Sequence, residues 1–275
     1  MTSINQTSIW IKNPLAIFAE NSDGGVVIKG QKIIELVPLG GSPVSSFDEI
    51  YDASDSVVLP GLINTHHHFY QTLTRAYPEA LNKELFPWLK SLYKVWAHIQ
   101  PEMLAVSTEL ALSELLLSGC TTASDHHYLF PSQLENAIDI QAEEAQKLGM
   151  RVVLTRGSMS LGEKDGGLPP QSVVQTKEQI LSDSERLIKT YHDSQEGAMT
   201  QIALAPCSPF SVTTDLMIET ANLAQQYDVR LHTHLAETID EENFCLEKFG
   251  LRTVDYLESV GWLSNRTWLA HGIHF

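Results

Sequence analysis

Three stretches of this chain carry an apolar run onto histidine, and histidines placed that way can hold a metal ion. The first is Pro60-Gly61-Leu62-Ile63-Asn64-Thr65-His66-His67-His68. Side chains alternate across a strand, so His66 and His68 share one face and His67 takes the other. Two imidazoles two residues apart on one face can reach the same divalent cation. For an isolated His-x-His the alternative is a polar surface cluster. Here the pair ends a strand of buried type, where an unpaired polar side chain is costly. The balance falls to metal binding.

The second stretch is Leu231-His232-Thr233-His234-Leu235-Ala236-Glu237. His234 lies nearer the carboxyl end, where barrel sites are built, and is the expected ligand. His232 would lie a layer deeper, where a hydrogen-bonded core histidine is an equal reading. Glu237 follows as the strand gives way to a loop, and a carboxylate there can shuttle a proton to and from a water. Its alternative is an acid at a helix start. The third stretch, Trp268-Leu269-Ala270-His271-Gly272, repeats the pattern and adds a glycine that permits close approach. Trp88, within Leu85-Phe86-Pro87-Trp88-Leu89, could cover a flat ring or pack a helix.

Two regimes of sequence must position these residues. From about Ser8 to Ser56, short β-rich runs alternate with Gly24-Gly25, Gly30 and Gly40-Gly41, which predicts a small antiparallel β-sandwich unit over residues 1–56. From Val57 to Phe275, strand candidates begin near Val57, Thr121, Arg151, Gln201, Arg230 and Thr267, with amphipathic helices between them. One helix is expected over Pro101–Ser118, with proline in its first turn and Gly119 past its end. Another opens at Thr176 with Gln179 three residues on, a capping box, and sets Ile180, Leu187 and Tyr191 on one face. Alternating strands and helices imply a parallel α/β sheet. No glycine-rich phosphate loop follows any strand, so a (β/α)8 TIM-type barrel over residues 57–275 is favoured over a dinucleotide fold. Six strand–helix units are present in the sequence, where a closed barrel has eight.

Composition narrows the function classes. The 275 residues carry a formal charge of −16, which argues against nucleic acid as a partner, since phosphate binding needs a Lys/Arg surplus. The N-terminus does not read as a secretory signal, and no apolar run approaches the roughly 20 residues of a membrane span. Cys120, Cys207 and Cys245 are odd in number and widely spaced, so neither a disulfide framework nor a cysteine zinc site is indicated. A cytoplasmic location, with no membrane partner, is the default expectation.

The histidine motifs resemble those of the amidohydrolase superfamily, in its branch of aminohydrolases acting on purines, triazines and pterins. Pro60 to His68 is similar to the first-strand metal motif, His232 to Glu237 to the fifth-strand motif, and Ala270-His271-Gly272 to the sixth-strand histidine. Gly30-Gln31-Lys32-Ile33-Ile34 resembles the small N-terminal β unit. Within the branch, the chain is most similar to deaminases of 8-oxoguanine, on three stretches: His68 to Ala76, Gly166 to Pro170 and Ala205 to Ser211.

The resemblance implies one divalent cation, zinc with iron as the alternative, held by His66, His68 and His234 and raising the acidity of a water. Glu237 would pass a proton from that water to a ring nitrogen, and His271 would hydrogen-bond the developing oxygen. The substrate would be a free heterocyclic base, with 8-oxoguanine giving urate and ammonia. Guanine deaminases share the glutamine corresponding to Gln71 and use it on the purine edge. They carry an arginine where this chain has Cys207-Ser208, so the ring edge read there is expected to differ from that of guanine, which fits an oxidised C8. Cys207 could equally be a small buried thiol. An s-triazine or pterin hydrolase would use the same metal set, and a barrel kept as a non-catalytic scaffold would be expected to have lost these histidines. The family's final ligand, an aspartate on the eighth strand, has no counterpart here, so a fragment inactive by itself is the further alternative expected. Open strand edges would favour a homo-oligomer.

Overall fold

Strands form where the β-branched runs lie. In the computed structural model, residues 7–275 are described, and the chain divides into two units, residues 1–62 and 63–275. The first six residues, where the reading of the N-terminus began, lie outside the described ones. The first unit holds β1 (Ser8–Lys12), β2 (Ala16–Ile17), β3 (Gly25–Lys29), β4 (Lys32–Val37), β5 (Glu49–Asp52) and β6 (Val57–Val58). Its larger sheet has the order β4-β3-β1-β5. Trp10, Val27 and Val37 form a small core with Phe47 packed against it. Gly25 sits at φ +110° with its Cα so near β1 that a Cβ would meet the Ile11 oxygen at 1.8 Å. Only glycine fits there.

Two sequence expectations change in this unit. The sheet is mixed rather than antiparallel, because β5 runs parallel to β1. The connection over residues 38–48 carries the chain across to the free edge of β1. There Asp48 accepts from the Ser8 amide and hydroxyl, both at 2.8 Å. Val57–Val58 is also no part of the barrel: it forms β6 and pairs with β2. Pro60 follows and has no amide to donate to a ladder, and the first barrel strand begins at Leu62.

The second unit alternates strands and helices as expected. Its strands are β7 (Leu62–His67, entering from the last residue of the first unit), β8 (Cys120–His127), β9 (Arg151–Ser158), β10 (Thr200–Pro206), β11 (Arg230–Leu235) and β12 (Thr267–His271). Its helices are α1 (Leu85–Trp96), α2 (Pro101–Leu117), α3 (Ala137–Leu148), α4 (Lys177–Tyr191), α5 (Thr214–Tyr227), α6 (Ile239–Phe249) and α7 (Thr253–Ser259). The six strands stand side by side in chain order. The sheet curls until its ends approach: Trp268 Nε1 on β12 donates to the Thr65 oxygen on β7 at 3.1 Å. This is a nearly closed, TIM-barrel-like α/β fold of six strands.

Local signals act where they were read. The α4 capping box forms in both directions, Thr176 accepting from the Gln179 amide at 3.3 Å and Gln179 from the Thr176 amide at 3.0 Å. Ile180 and Leu187 on that helix are buried. Gly119 closes α2 in the left-handed region. Among the described residues, no helix is long and apolar enough to cross a membrane.

Candidate active site

A parallel barrel presents the carboxyl ends of its strands at one mouth, and here six of the histidines at those ends lie close together. β7 delivers His66 and, just beyond it, His68; β8 delivers His126, β11 His232 and His234, and β12 His271. The rings of His66, His68 and His234 have centroids 4.7 to 5.2 Å apart. His234 also stacks on His126 at 4.4 Å and on His271 at 5.4 Å.

Hydrogen bonds settle which nitrogen each ring offers. A carbonyl oxygen only accepts, so a ring nitrogen bonded to one must carry the proton. His68 Nδ1 donates to the His126 oxygen at 2.7 Å, and His234 Nδ1 donates to the Cys207 oxygen at 2.7 Å. His232 Nδ1 donates to the Trp268 oxygen at 2.8 Å. Burial pushes the His232 pKa down to about 3, so its Nε2 stays a bare lone pair. That lone pair accepts from His66 Nδ1 at 2.8 Å. His66, itself pushed down to about 4 chiefly by burial, is left with Nε2 free. Three neutral imidazoles thus each have Nδ1 pinned and Nε2 available, the arrangement in which outer partners fix metal-binding histidines.

These residues fit a metal ion. His68 Nε2 and His234 Nε2 face each other at 3.2 Å, each without a proton to share. Two lone pairs at that separation repel unless a cation lies beside both. Ligands of a tetrahedral ion with bonds of about 2.0–2.1 Å stand about 3.4 Å apart. A different trio also comes together: His126, His66 and His234 each offer a ligand atom, all within 4.8 Å of one another, a group that does not include His68. His126 Nε2 bonds to the Ala205 oxygen at 3.1 Å, and its buried Nδ1 has no partner among the described residues.

Glu237 stands beyond β11 with its Oε2 at 3.4 Å from His271 Nε2. Burial pushes its carboxyl up to about 7. The residue before it, Ala236, sits at φ +53°, which turns the chain sharply at the strand tip. A cavity of about 380 Å³ is lined by His66, His68, Gln71 and Trp88, among others. Gln71 and Trp88 are therefore brought beside the histidine pair; Trp88 also packs edge-on to Trp96 at 5.5 Å. Cys207 is placed otherwise. It does not line that cavity; its thiol is buried, burial pushes it up to about 12, and its carbonyl holds His234.

Several residues here escaped the sequence reading. Asp125 and His126 lie near the carboxyl end of β8, a strand that lacks the His-x-His spacing found at β7 and β11. Asp125 is fully buried and accepts from the Phe69 amide, next to His68, and from Gln141 Nε2, both at 2.6 Å. Glu241, on the first turn of α6, accepts from the amides of Ala236 and Glu237 at 3.1 and 2.8 Å.

The comparisons agree with this architecture. Residues 57–275 match the amidohydrolase family, and the chain belongs to it. It is 65% identical over 269 residues to the 8-oxoguanine deaminase of Pseudomonas aeruginosa, covering 97% of this chain and 60% of that protein. It is 33% identical over 257 residues to the hydroxydechloroatrazine ethylaminohydrolase of Pseudomonas sp. (strain ADP), covering 92% and 53%. Among solved structures, an atrazine chlorohydrolase from Arthrobacter aurescens TC1 complexed with zinc superimposes with a TM-score of 0.87 at 29% identity, covering 97% of this chain and 61% of that one. The chain thus spans about half to three fifths of the length of these relatives.

Proposed function

We propose that this protein is a metal-dependent hydrolytic deaminase of a free purine-like base, taking 8-oxoguanine and water to urate and ammonia. The observation that carries the reading is the gathering of the His66, His68 and His234 rings, with centroids 4.7 to 5.2 Å apart, near a partly buried carboxylate that lies 3.4 Å from His271. His66, His68 and His234 would hold one divalent ion, with zinc favoured by the zinc-bound structural relative. Such an ion supplies Lewis acidity that lets water act as a nucleophile near neutral pH. Glu237 takes the proton that water loses and returns it to a ring nitrogen, which makes the amino-bearing carbon electrophilic. His271, within reach of Glu237, hydrogen-bonds the oxygen that grows at that carbon. Glu237 then carries the second proton, from the hydroxyl of the adduct, to the amino nitrogen, and the C–N bond breaks as the C=O forms and ammonia leaves. Gln71 and Trp88 line the cavity beside the pair and would read the edge and the face of the base.

The substrate assignment rests on the 65% relative. The test is ammonia release by the zinc-loaded protein from 8-oxoguanine, guanine, isoxanthopterin and a hydroxytriazine, with urate followed at the same time. Urate and ammonia formed one for one, fastest from 8-oxoguanine, is the expected result. A ranking led by guanine or by the triazine would replace the assignment.

A further inference from the structure

Glu237 owes its place to a turn that alanine does not ordinarily favour. Ala236 lies at φ +53°, where a Cβ crowds its own backbone. Something must hold that conformation against the extended alternative. The Ile273 and His274 amides donate to the Ala236 oxygen, both at 2.9 Å, and the amide side of the turn is held by Glu241. Its Oε1 accepts from the Ala236 amide at 3.1 Å and its Oε2 from the Glu237 amide at 2.8 Å. The side chain is fully buried.

An ordinary helix cap does not account for this. Thr238 is the N-cap of α6, and its hydroxyl accepts from the Glu241 amide at 3.4 Å. In a capping box the acid at the third helical position would reach back to the amide of the cap residue itself. Glu241 instead reaches past Thr238 to the two preceding amides. Both of its oxygens are used on the segment that carries the shuttle, and none on the helix.

We infer that Glu241 is a positioning residue, which clamps the Ala236–Glu237 turn through its two oxygens and so aims the Glu237 carboxylate at the histidine cluster. The catalytic half of this inference rests on the deaminase reading above; the clamp does not. Burial pushes the Glu241 carboxyl up to about 7, while the two amide bonds favour its ionised form. Glu241→Gln keeps the shape but replaces one accepting oxygen by a donor, so it loses one amide bond and the charge of the other.

The experiment follows amide hydrogen exchange at Ala236 and Glu237, together with zinc content, kcat and KM, in the parent, in Glu241→Gln and in Thr238→Ala. The Thr238 variant removes the cap and leaves the clamp. In Glu241→Gln the two amides should lose protection, zinc content should hold, and kcat should fall about 10- to 100-fold with KM nearly constant, as for a small misplacement of a reacting group. Thr238→Ala should leave both amides and kcat close to the parent. Unchanged exchange in Glu241→Gln, or loss of protection with unchanged kcat, would overturn the inference, as would an equal loss of kcat in Thr238→Ala. If Glu241→Gln does not fold, fast exchange of the two amides in the parent would overturn it and slow exchange would support it. A parent inactive on every heterocycle would refute the deaminase reading, while the exchange result would still decide the clamp.

Discussion

His68 Nε2 and His234 Nε2 stand 3.2 Å apart across the barrel mouth, though 166 residues separate them in the chain. Each ring has its Nδ1 proton committed to a backbone carbonyl, so neither can donate to the other. The pair is uncomfortable as it stands and becomes favourable with a cation. Adding zinc to chelator-treated protein should therefore raise Tm, by the equivalent of about 2.7 kcal/mol at a hundredfold excess over Kd. Calorimetry with and without zinc checks this; no rise in Tm would mean that the cluster does not bind the ion.

His232 acts one step further out. Its Nε2 accepts the His66 proton and its Nδ1 is tied to Trp268, which together leave His66 Nε2 free. His232→Phe keeps an aromatic ring in the same layer and removes the acceptor. Zinc affinity should fall about 10- to 100-fold, as is usual for outer partners of ligand histidines. Competition with a chelating dye reads this, and unchanged affinity would return His232 to a core role.

Acid stability should respond to His127, which is fully buried on the opposite face of β8 from His126. Its Nε2 donates to the Leu129 oxygen at 2.7 Å, and burial pushes its pKa down to about 3. The folded value lies below the unfolded one, so between pH 3 and about 6.5 the unfolded chain binds the extra proton. Stability is therefore lost as pH falls through that window, by roughly 2 kcal/mol from this group between pH 6.5 and 5. Urea midpoints at pH 7 and 5 should differ less in His127→Gln than in the parent. Equal differences would show that His127 does not titrate this way.

The rate should carry the imprint of Glu237. Its carboxyl is pushed up to about 7 by burial, and a group that takes a proton from water must begin as the carboxylate. Below that value the protonated form dominates, so kcat/KM should fall with acid, about tenfold per pH unit. A kcat/KM profile flat from about pH 5 to 8 would show that another group takes the proton.

How much of this was legible in the sequence depended on whether a rule tied residue to place. Alternation along a strand put His66 and His68 on one face, and the position at a strand end put His234 and His271 at the mouth; the geometry gathers all four. The α4 cap was equally readable, because Thr176 and Gln179 carry both halves of the bond. His126 was not, since a single inward histidine lacks the His-x-His spacing and its neighbours Asp125 and His127 are polar as well. Glu241 was hidden for another reason. Its role depends on a left-handed alanine, and no residue type announces that at Ala236. The parallel course of β5 was likewise unreadable, because nothing in the connection over residues 38–48 encodes the direction in which it returns.

The most direct test of the whole account is Glu237→Gln in the zinc-loaded protein, with zinc content and ammonia release measured on the same sample. The amide is nearly the same size, so the fold and the three histidines should be undisturbed. With Glu237 as the proton relay, zinc content should match the parent and turnover of 8-oxoguanine should drop about 10²- to 10⁴-fold. Turnover close to the parent rate, with zinc in place, would contradict the account.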